Sequence, residues 1–186
     1  MTNRYEGVDF ERDGPVNAAS YGLVIKNCVN VCMILGRPKM IRIERSVLPP
    51  TIDFSFLENA REVTCWKSCA MTPEFLNVFA RSSIQKLSFS FSGDAIPFSA
   101  LSEAVRTNKR IEEIEFLGSA EVDEQGMIDF IKGVFPHPKL RSLQFNTIVN
   151  RWGLSDSSEA RRLLSVVNSE SFQGLCQVLG KRYVRQ

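Results

Sequence analysis

From Leu101 to Phe145 the chain reads LSEAVRTNKRIEEIEFLGSAEVDEQGMIDFIKGVFPHPKLRSLQF, and one six-residue pattern occurs in it twice, as Ile111-Glu-Glu-Ile114-Glu-Phe116 and Leu140-Arg-Ser-Leu143-Gln-Phe145. Apolar residues stand at the first, fourth and sixth positions. A third copy precedes them, Ile84-Gln-Lys-Leu87-Ser-Phe89, and two weaker ones lie further upstream, Ala60-Arg-Glu-Val63-Thr-Cys65 and Pro38-Lys-Met-Ile41-Arg-Ile43. The five copies start 22, 24, 27 and 29 residues apart, the spacing of a repeat in which each unit is one supersecondary element. The fourth and sixth positions alternate with polar residues, as a strand with one buried face requires.

Between the copies the apolar period lengthens from 2 to about 3.6, the signature of an amphipathic helix. Phe98, Leu101, Ala104 and Val105 form one stripe; Met127, Phe130, Ile131 and Val134 form another; Phe75, Leu76 and Phe79 form a shorter one. Each interval therefore predicts strand, polar turn and helix. Each helix has an apolar side that only a stacked neighbour can bury.

The stretch from Leu101 to Phe145 resembles two consecutive units of the ribonuclease-inhibitor-like leucine-rich repeats. Leu101, Ala104, Val105 and Asn108 match the helix that leads into the strand, and Val122, Asp123 and Glu124 match the turn and the next helix start, with Gln125-Gly126 in place of an immediate glycine. Asp123 is expected to cap that helix, where an acidic residue suits the dipole. The resemblance holds over roughly residues 72 to 148. It implies an α/β solenoid with a parallel sheet on the concave face and helices on the convex face, and a role in binding other proteins. It also implies a hydrogen-bonding residue at the ninth repeat position, here Ser46, Ser68, Ser92 and Ser119, with Ile148 departing in the last copy.

The expected organisation is a flexible leader over residues 1–13, a helical N-terminal cap over 14–36, about five leucine-rich repeats over 37–150 and a helical C-terminal cap over 151–186. The caps follow from the need to close an exposed core at both ends. Pro15 to Leu35 carries Val16, Leu23, Val24, Val31, Ile34 and Leu35 and is predicted as a helix stopped by Gly36 and Pro38.

Bulk properties exclude several classes. A chain of 186 residues, 44% hydrophobic and 24% charged, can form one soluble domain with a real core. Its 23 basic and 21 acidic residues give a net charge of +2 without a broad basic face, so no nucleic acid is expected as partner. Lys109-Arg110, Arg161-Arg162 and Lys181-Arg182 with Arg185 lack interleaved stacking aromatics. Five cysteines without a glycosylation sequon argue against a secreted disulfide framework. The longest apolar stretch, Cys28 to Leu35, is too short to span a bilayer. A cytoplasmic location is expected, with the nucleus as the other possibility.

No catalytic constellation is legible. Phosphate-binding glycine loops are absent from the sequence, and His137, the one histidine, is expected to be a turn residue before a strand. Cys28-x-x-x-Cys32 and Cys65-x-x-x-Cys69 invite a zinc site. However, the first pair is read as lying on one helix face and Cys65 as an inward strand position, so small buried hydrophobes account for them and for Cys176. No metal and no cofactor are expected.

Candidate binding residues follow from strand alternation. Outward positions between the fourth and sixth are Arg42, Thr64, Ser88, Glu115 and Gln144; just after the sixth they are Glu44, Trp66, Ser90, Leu117 and Asn146. Trp66 and Leu117 are the expected hot spots, with a shallow groove at the serines between them. The functional expectation is a non-catalytic scaffold for a protein or peptide partner, with no small-molecule substrate and no membrane. One alternative is the substrate-recognition or adaptor subunit of a ubiquitin-ligase-type complex, although Leu48-Pro49-Pro50 is not followed by the apolar helix of an F-box. The other is a zinc- or RNA-binding module.

Overall fold

The fourth and sixth positions of all five copies lie in strands that pair in parallel in the computed structural model, which describes residues 1–46, 48–49, 52–66, 71–90, 97–117, 124–134 and 136–146. In chain order the elements are β1 (Thr2–Glu6), α1 (Phe10–Asp13), β2 (Val16–Asn17), β3 (Gly22–Lys26), β4 (Ile34–Leu35), β5 (Met40–Glu44) and a 3-10 turn (Phe54–Leu57). They continue with β6 (Glu62–Trp66), α2 (Pro73–Arg81), β7 (Lys86–Ser90), α3 (Phe98–Thr107), β8 (Glu113–Leu117), α4 (Glu124–Val134) and β9 (Ser142–Asn146). Seven strands form one sheet in the order β1-β3-β5-β6-β7-β8-β9, and β2 pairs separately with β4. Every pairing is parallel.

This order fixes the layering. Each sheet strand pairs with the one before it, so the chain always advances in the same direction. Parallel crossovers are right-handed, and a constant direction with a constant hand puts every return segment on one face. Ring contacts agree: Phe89 of β7 lies 5.9 Å from Phe75 of α2, and Phe116 of β8 lies 6.3 Å from Phe98 of α3 and 5.8 Å from Phe130 of α4. Among the described residues β1 and β9 are the edges, so the sheet is open and not a barrel.

The register places Ile41, Val63, Leu87, Ile114 and Leu143 side by side as one inward row. Ile43, Cys65, Phe89 and Phe116 form the next row. First-position residues Pro38, Ala60, Ile84, Ile111 and Leu140 are all buried. The helices supply the other side of the core. In α2, Thr72 accepts the Phe75 amide at 3.2 Å, Pro73 sits in the first turn and Arg81 in the last, a start and stop that suit the free amides and carbonyls of the helix ends. Phe75, Leu76 and Phe79 then fall on one buried face. Truncating one such ring to Ala costs about 3–5 kcal/mol.

Hydrogen bonds repeat with the coil. The carbonyls of Tyr21, Lys39, Arg61, Gln85 and Glu112 each accept two successive amides from the next coil, at 2.7–3.2 Å. One residue past the strand, Gly7, Asn27 and Arg45 occupy equivalent left-handed corners at φ 67°, 52° and 48°. Their amides bond to Lys26, Glu44 and Trp66 carbonyls. Two side-chain ladders bracket the strands. Ser46, at the ninth position, donates to the Glu44 carbonyl (2.9 Å) and accepts the Cys28 amide (3.0 Å), while the Cys28 thiol lies 3.3 Å from the Lys26 carbonyl in the same manner. Positions 68, 92, 119 and 148 lie outside the described residues, as does the expected cap Asp123.

The second ladder stands before the strands. Ser82 donates to the Phe79 carbonyl at 2.8 Å. Fully buried Asn108 donates to the same carbonyl from Nδ2 (2.8 Å) and accepts the amides of Arg110 (2.7 Å) and Ile111 (3.0 Å) at Oδ1. His137 repeats the arrangement one coil later: Nδ1 accepts the amides of Lys139 (3.3 Å) and Leu140 (3.1 Å), and Nε2 meets the Asn108 carbonyl at 2.6 Å. Two amides pointing at Nδ1 assign the ring proton to Nε2.

The N-terminal expectations need correction. Residues 1–13 are not a flexible leader: β1 pairs with β3 from Thr2↔Gly22 to Glu6↔Lys26, and α1 follows. Residues 14–36 are not a helical cap either; they form β2, β3 and β4. Length explains the difference. Strands of the main sheet begin at residues 2, 22, 40, 62, 86, 113 and 142, so the intervals are 20, 18, 22, 24, 27 and 29. A five-residue strand spans about 17 Å, and a helix returning over that distance at 1.5 Å per residue needs about eleven residues plus two turns. The first two coils are too short for that: the first holds only the four-residue α1, and both run back through the short strands β2 and β4. Asn3 and Tyr5, at inward positions of β1, close the edge with hydrogen bonds to the Asn17 carbonyl (2.7 and 2.9 Å). The expected C-terminal cap, 151–186, lies outside the described residues. Among the described residues no helix is long and apolar enough to cross a membrane.

Candidate functional site: the outward face of the sheet

Strand alternation turns three rows of side chains away from the helices. The middle row is Arg4-Val24-Arg42-Thr64-Ser88-Glu115, continuing to Gln144, in register across all seven strands. The row towards the strand ends is Glu6-Lys26-Glu44-Trp66-Ser90-Leu117, with Asn146 beyond. All ten residues picked out from the sequence belong to these two rows, five to each. The sequence pattern missed Arg4, Glu6, Val24 and Lys26, which extend the face by two strands. Leu23-x-Ile25 matches the fourth and sixth positions, but Ser20 stands at the first and the following interval is only 18 residues.

Burial divides the nine whose side chains are described. Arg42 is exposed; Thr64, Trp66, Glu115, Leu117 and Gln144 are half-buried. Ser88 and Ser90, expected to line an open groove, are 3% exposed, and Glu44 is 6% exposed. These three offer almost no surface to solvent, against the expectation of an open groove. A hydroxymethyl group between the larger register partners Trp66 and Leu117, or Thr64 and Glu115, is recessed from water. Ser88 donates to Glu115 Oε2 at 2.8 Å, whereas Ser90 Oγ has no hydrogen-bond partner among the described residues. Glu44 lies in register between Lys26 and Trp66 and pairs with Arg42 Nε.

Charge is segregated along the face. Near β1, β3 and β5, three cations share two carboxylates: Glu6 bonds Arg4 (3.2 Å) and Lys26 (2.9 Å), and Glu44 bonds Arg42. The Arg4 and Arg42 side chains remain 64% and 55% exposed, while that of Glu44 is 8% exposed, so the potential presented to solvent is positive. A cleft of about 290 Å³ lies over Val24 between Arg4, Lys26, Arg42 and Glu44. Near β6, β7 and β8 the balance reverses among the described residues, with Glu62, Glu113 and Glu115 around Lys86. Lys86 Nζ meets Glu113 at 3.1 Å. The hydrogen bond to Glu113, helped by the fields of Glu113, Glu115 and Glu62 and opposed by desolvation, raises the ammonium above its ordinary value. Trp66 stands between the two zones, with the Arg45 guanidinium 5.5 Å from its ring centroid.

The other chemical candidates resolve as follows. Cys28 is buried but follows β3, not on a helix, because the helix expected there is absent; Cys32 is exposed, against the expectation that it is core. Cys65 is buried at its inward position. Cys69 and Cys176 lie outside the described residues. Among the described residues no three His, Cys, Asp or Glu side chains gather in a group that could hold a metal ion. His137 has both ring nitrogens committed to backbone groups. No protein-family model, curated protein or solved structure matches the chain.

Proposed function

We propose that the protein is a non-catalytic interaction module, a short solenoid of the ribonuclease-inhibitor-like leucine-rich-repeat kind, whose outward sheet face binds a protein or peptide in the cytosol or nucleus. The observation that carries this reading is the singly wound order of seven parallel strands. Such a sheet uses one face for its core and leaves the other to solvent with side chains in straight rows. The recurring paired-amide carbonyls, left-handed corners and Ser82-Asn108-His137 ladder support a repeat architecture over the same coils. On the face, Trp66 and Leu117 are half-buried apolar residues in one row with polar neighbours, the composition of an interface centre with a polar rim. Among the described residues no geometry favours a ubiquitin-ligase adaptor, a zinc site or an RNA surface over this reading.

Affinity capture from a cell extract, followed by mass spectrometry, tests it. Trp66→Ala or Leu117→Arg is expected to lose the captured partner while thermal stability is unchanged. Undiminished capture by both folded variants refutes the assignment of the face.

A further inference from the structure

Resting on that reading, we infer that the occupant of the face is an extended peptide segment of segregated charge, crossing the strands with an acidic end over β1, β3 and β5, an apolar side chain at Trp66 and a basic end over β7 and β8. Three observations lead there. The cleft over Val24 has an arginine in register on each side, Arg4 and Arg42, and Lys26 one row beyond. Among the described residues those three cations share two carboxylates, one of them the buried Glu44, so a carboxylate arriving from solvent meets net positive charge there. At the other end, Lys86 stands in register between Glu62 and Glu113 and bonds Glu113 at 3.1 Å, so among the described residues of that row two carboxylates face one cation and favour an arriving ammonium or guanidinium.

The distances set the partner's spacing. Neighbouring strands lie about 4.8 Å apart. From Val24 on β3 to Trp66 on β6 is two strand steps, about 10 Å, and from Trp66 to Glu113 on β8 is two more. Extended chain advances about 3.3 Å per residue. The acidic and basic residues of the ligand therefore stand about six residues apart, with the apolar residue midway. Charge of one sign at both ends meets repulsion at one of them, which makes the charge order, more than the net charge, the basis of selection.

The test uses the full chain and the synthetic peptide acetyl-Glu-Glu-Ser-Ser-Leu-Ser-Ser-Lys-Lys-amide, with a control of identical composition in which Glu and Lys alternate. Fluorescence anisotropy at low salt is expected to show the segregated peptide binding at least about tenfold more tightly than the control. Arg42→Glu is expected to weaken it about fivefold and to prefer a peptide with Lys at both ends. Arg4→Glu, which leaves the Arg42 to Glu44 pair intact, is expected to act in the same direction and guards against misfolding of the first variant. Equal binding of segregated and alternating peptides overturns the inference. So does concentration-dependent dimerisation in sedimentation that Arg42→Glu abolishes, because the occupant is then a second copy of this chain. If cellular capture depends on Trp66 while the peptides do not discriminate, the face binds but not by charge order. If capture is independent of Trp66, the proposed function itself fails.

Discussion

Replacing Asn108 with Ala removes three hydrogen bonds from a fully buried position, and their worth follows from what each partner has left. The Ile111 amide is buried and loses its bond to Oδ1, at about 1–3 kcal/mol for a stranded donor. The Arg110 amide is part-buried, so water recovers some of its loss and about 0.5–1.5 kcal/mol remains. The Phe79 carbonyl keeps the Ser82 hydroxyl at 2.8 Å and the Ser82 amide at 3.1 Å and costs little. Adding the small void left by the amide group, the expected destabilisation is about 3 kcal/mol. With a urea slope of about 2 kcal/mol/M, the unfolding midpoint falls by roughly 1.5 M. Denaturation followed by far-ultraviolet circular dichroism measures this directly. A loss under about 1 kcal/mol at unchanged slope refutes the ladder as a structural element.

The same ladder predicts that His137→Asn, which keeps an acceptor for Leu140 and a donor towards the Asn108 carbonyl, costs less than about 1 kcal/mol, whereas His137→Ala costs about 2 kcal/mol; the same urea titration separates them. At the α3 to α4 contact, a Cβ on Gly133 would sit 2.3 Å from Ser102 Oγ. Gly133→Ala in a Ser102→Ala background is therefore expected to raise stability by about 0.5–1 kcal/mol through helix propensity, and a lower melting temperature of the double variant contradicts the close approach. Asp53 accepts the Ser55 amide and hydroxyl, which holds its carboxyl below the ordinary 3.8, backbone bond first. A lowered folded value means that this contribution is fully present above pH 3.8 and is lost as acid protonates the folded carboxylate. Asp53→Asn should flatten the fall in stability as the pH drops below about 3.8, and identical acid profiles of the two proteins contradict it.

The strands were legible because alternation of Leu87 with Phe89, or Ile114 with Phe116, has no other economical burial, and register then followed from repetition. The helices were legible in the C-terminal coils, where stripes such as Leu101, Ala104 and Val105 have room to form. Residues 14–36 misled because Val16, Leu23, Val31 and Ile34, all buried, count as a helical apolar set when the coil length is ignored. Asn27 and Asn30, both at positive φ, were the available warning, since asparagine enters left-handed corners readily. Of the site, the identity of both rows was in the sequence, but depth was not: burial of Ser88, Ser90 and Glu44 depends on the height of neighbours three strands wide. Segregation of charge could not be read either, because it needs β1 and β3 in the sheet.

The widening intervals between strands carry a consequence for change by insertion and deletion. Because every pairing keeps the same offset while its return segment varies from extended chain to an eleven-residue helix, added or lost residues are absorbed within a single turn of the winding. Neighbours are not displaced, so the outer rows can hold their alignment while the far side is rebuilt in length.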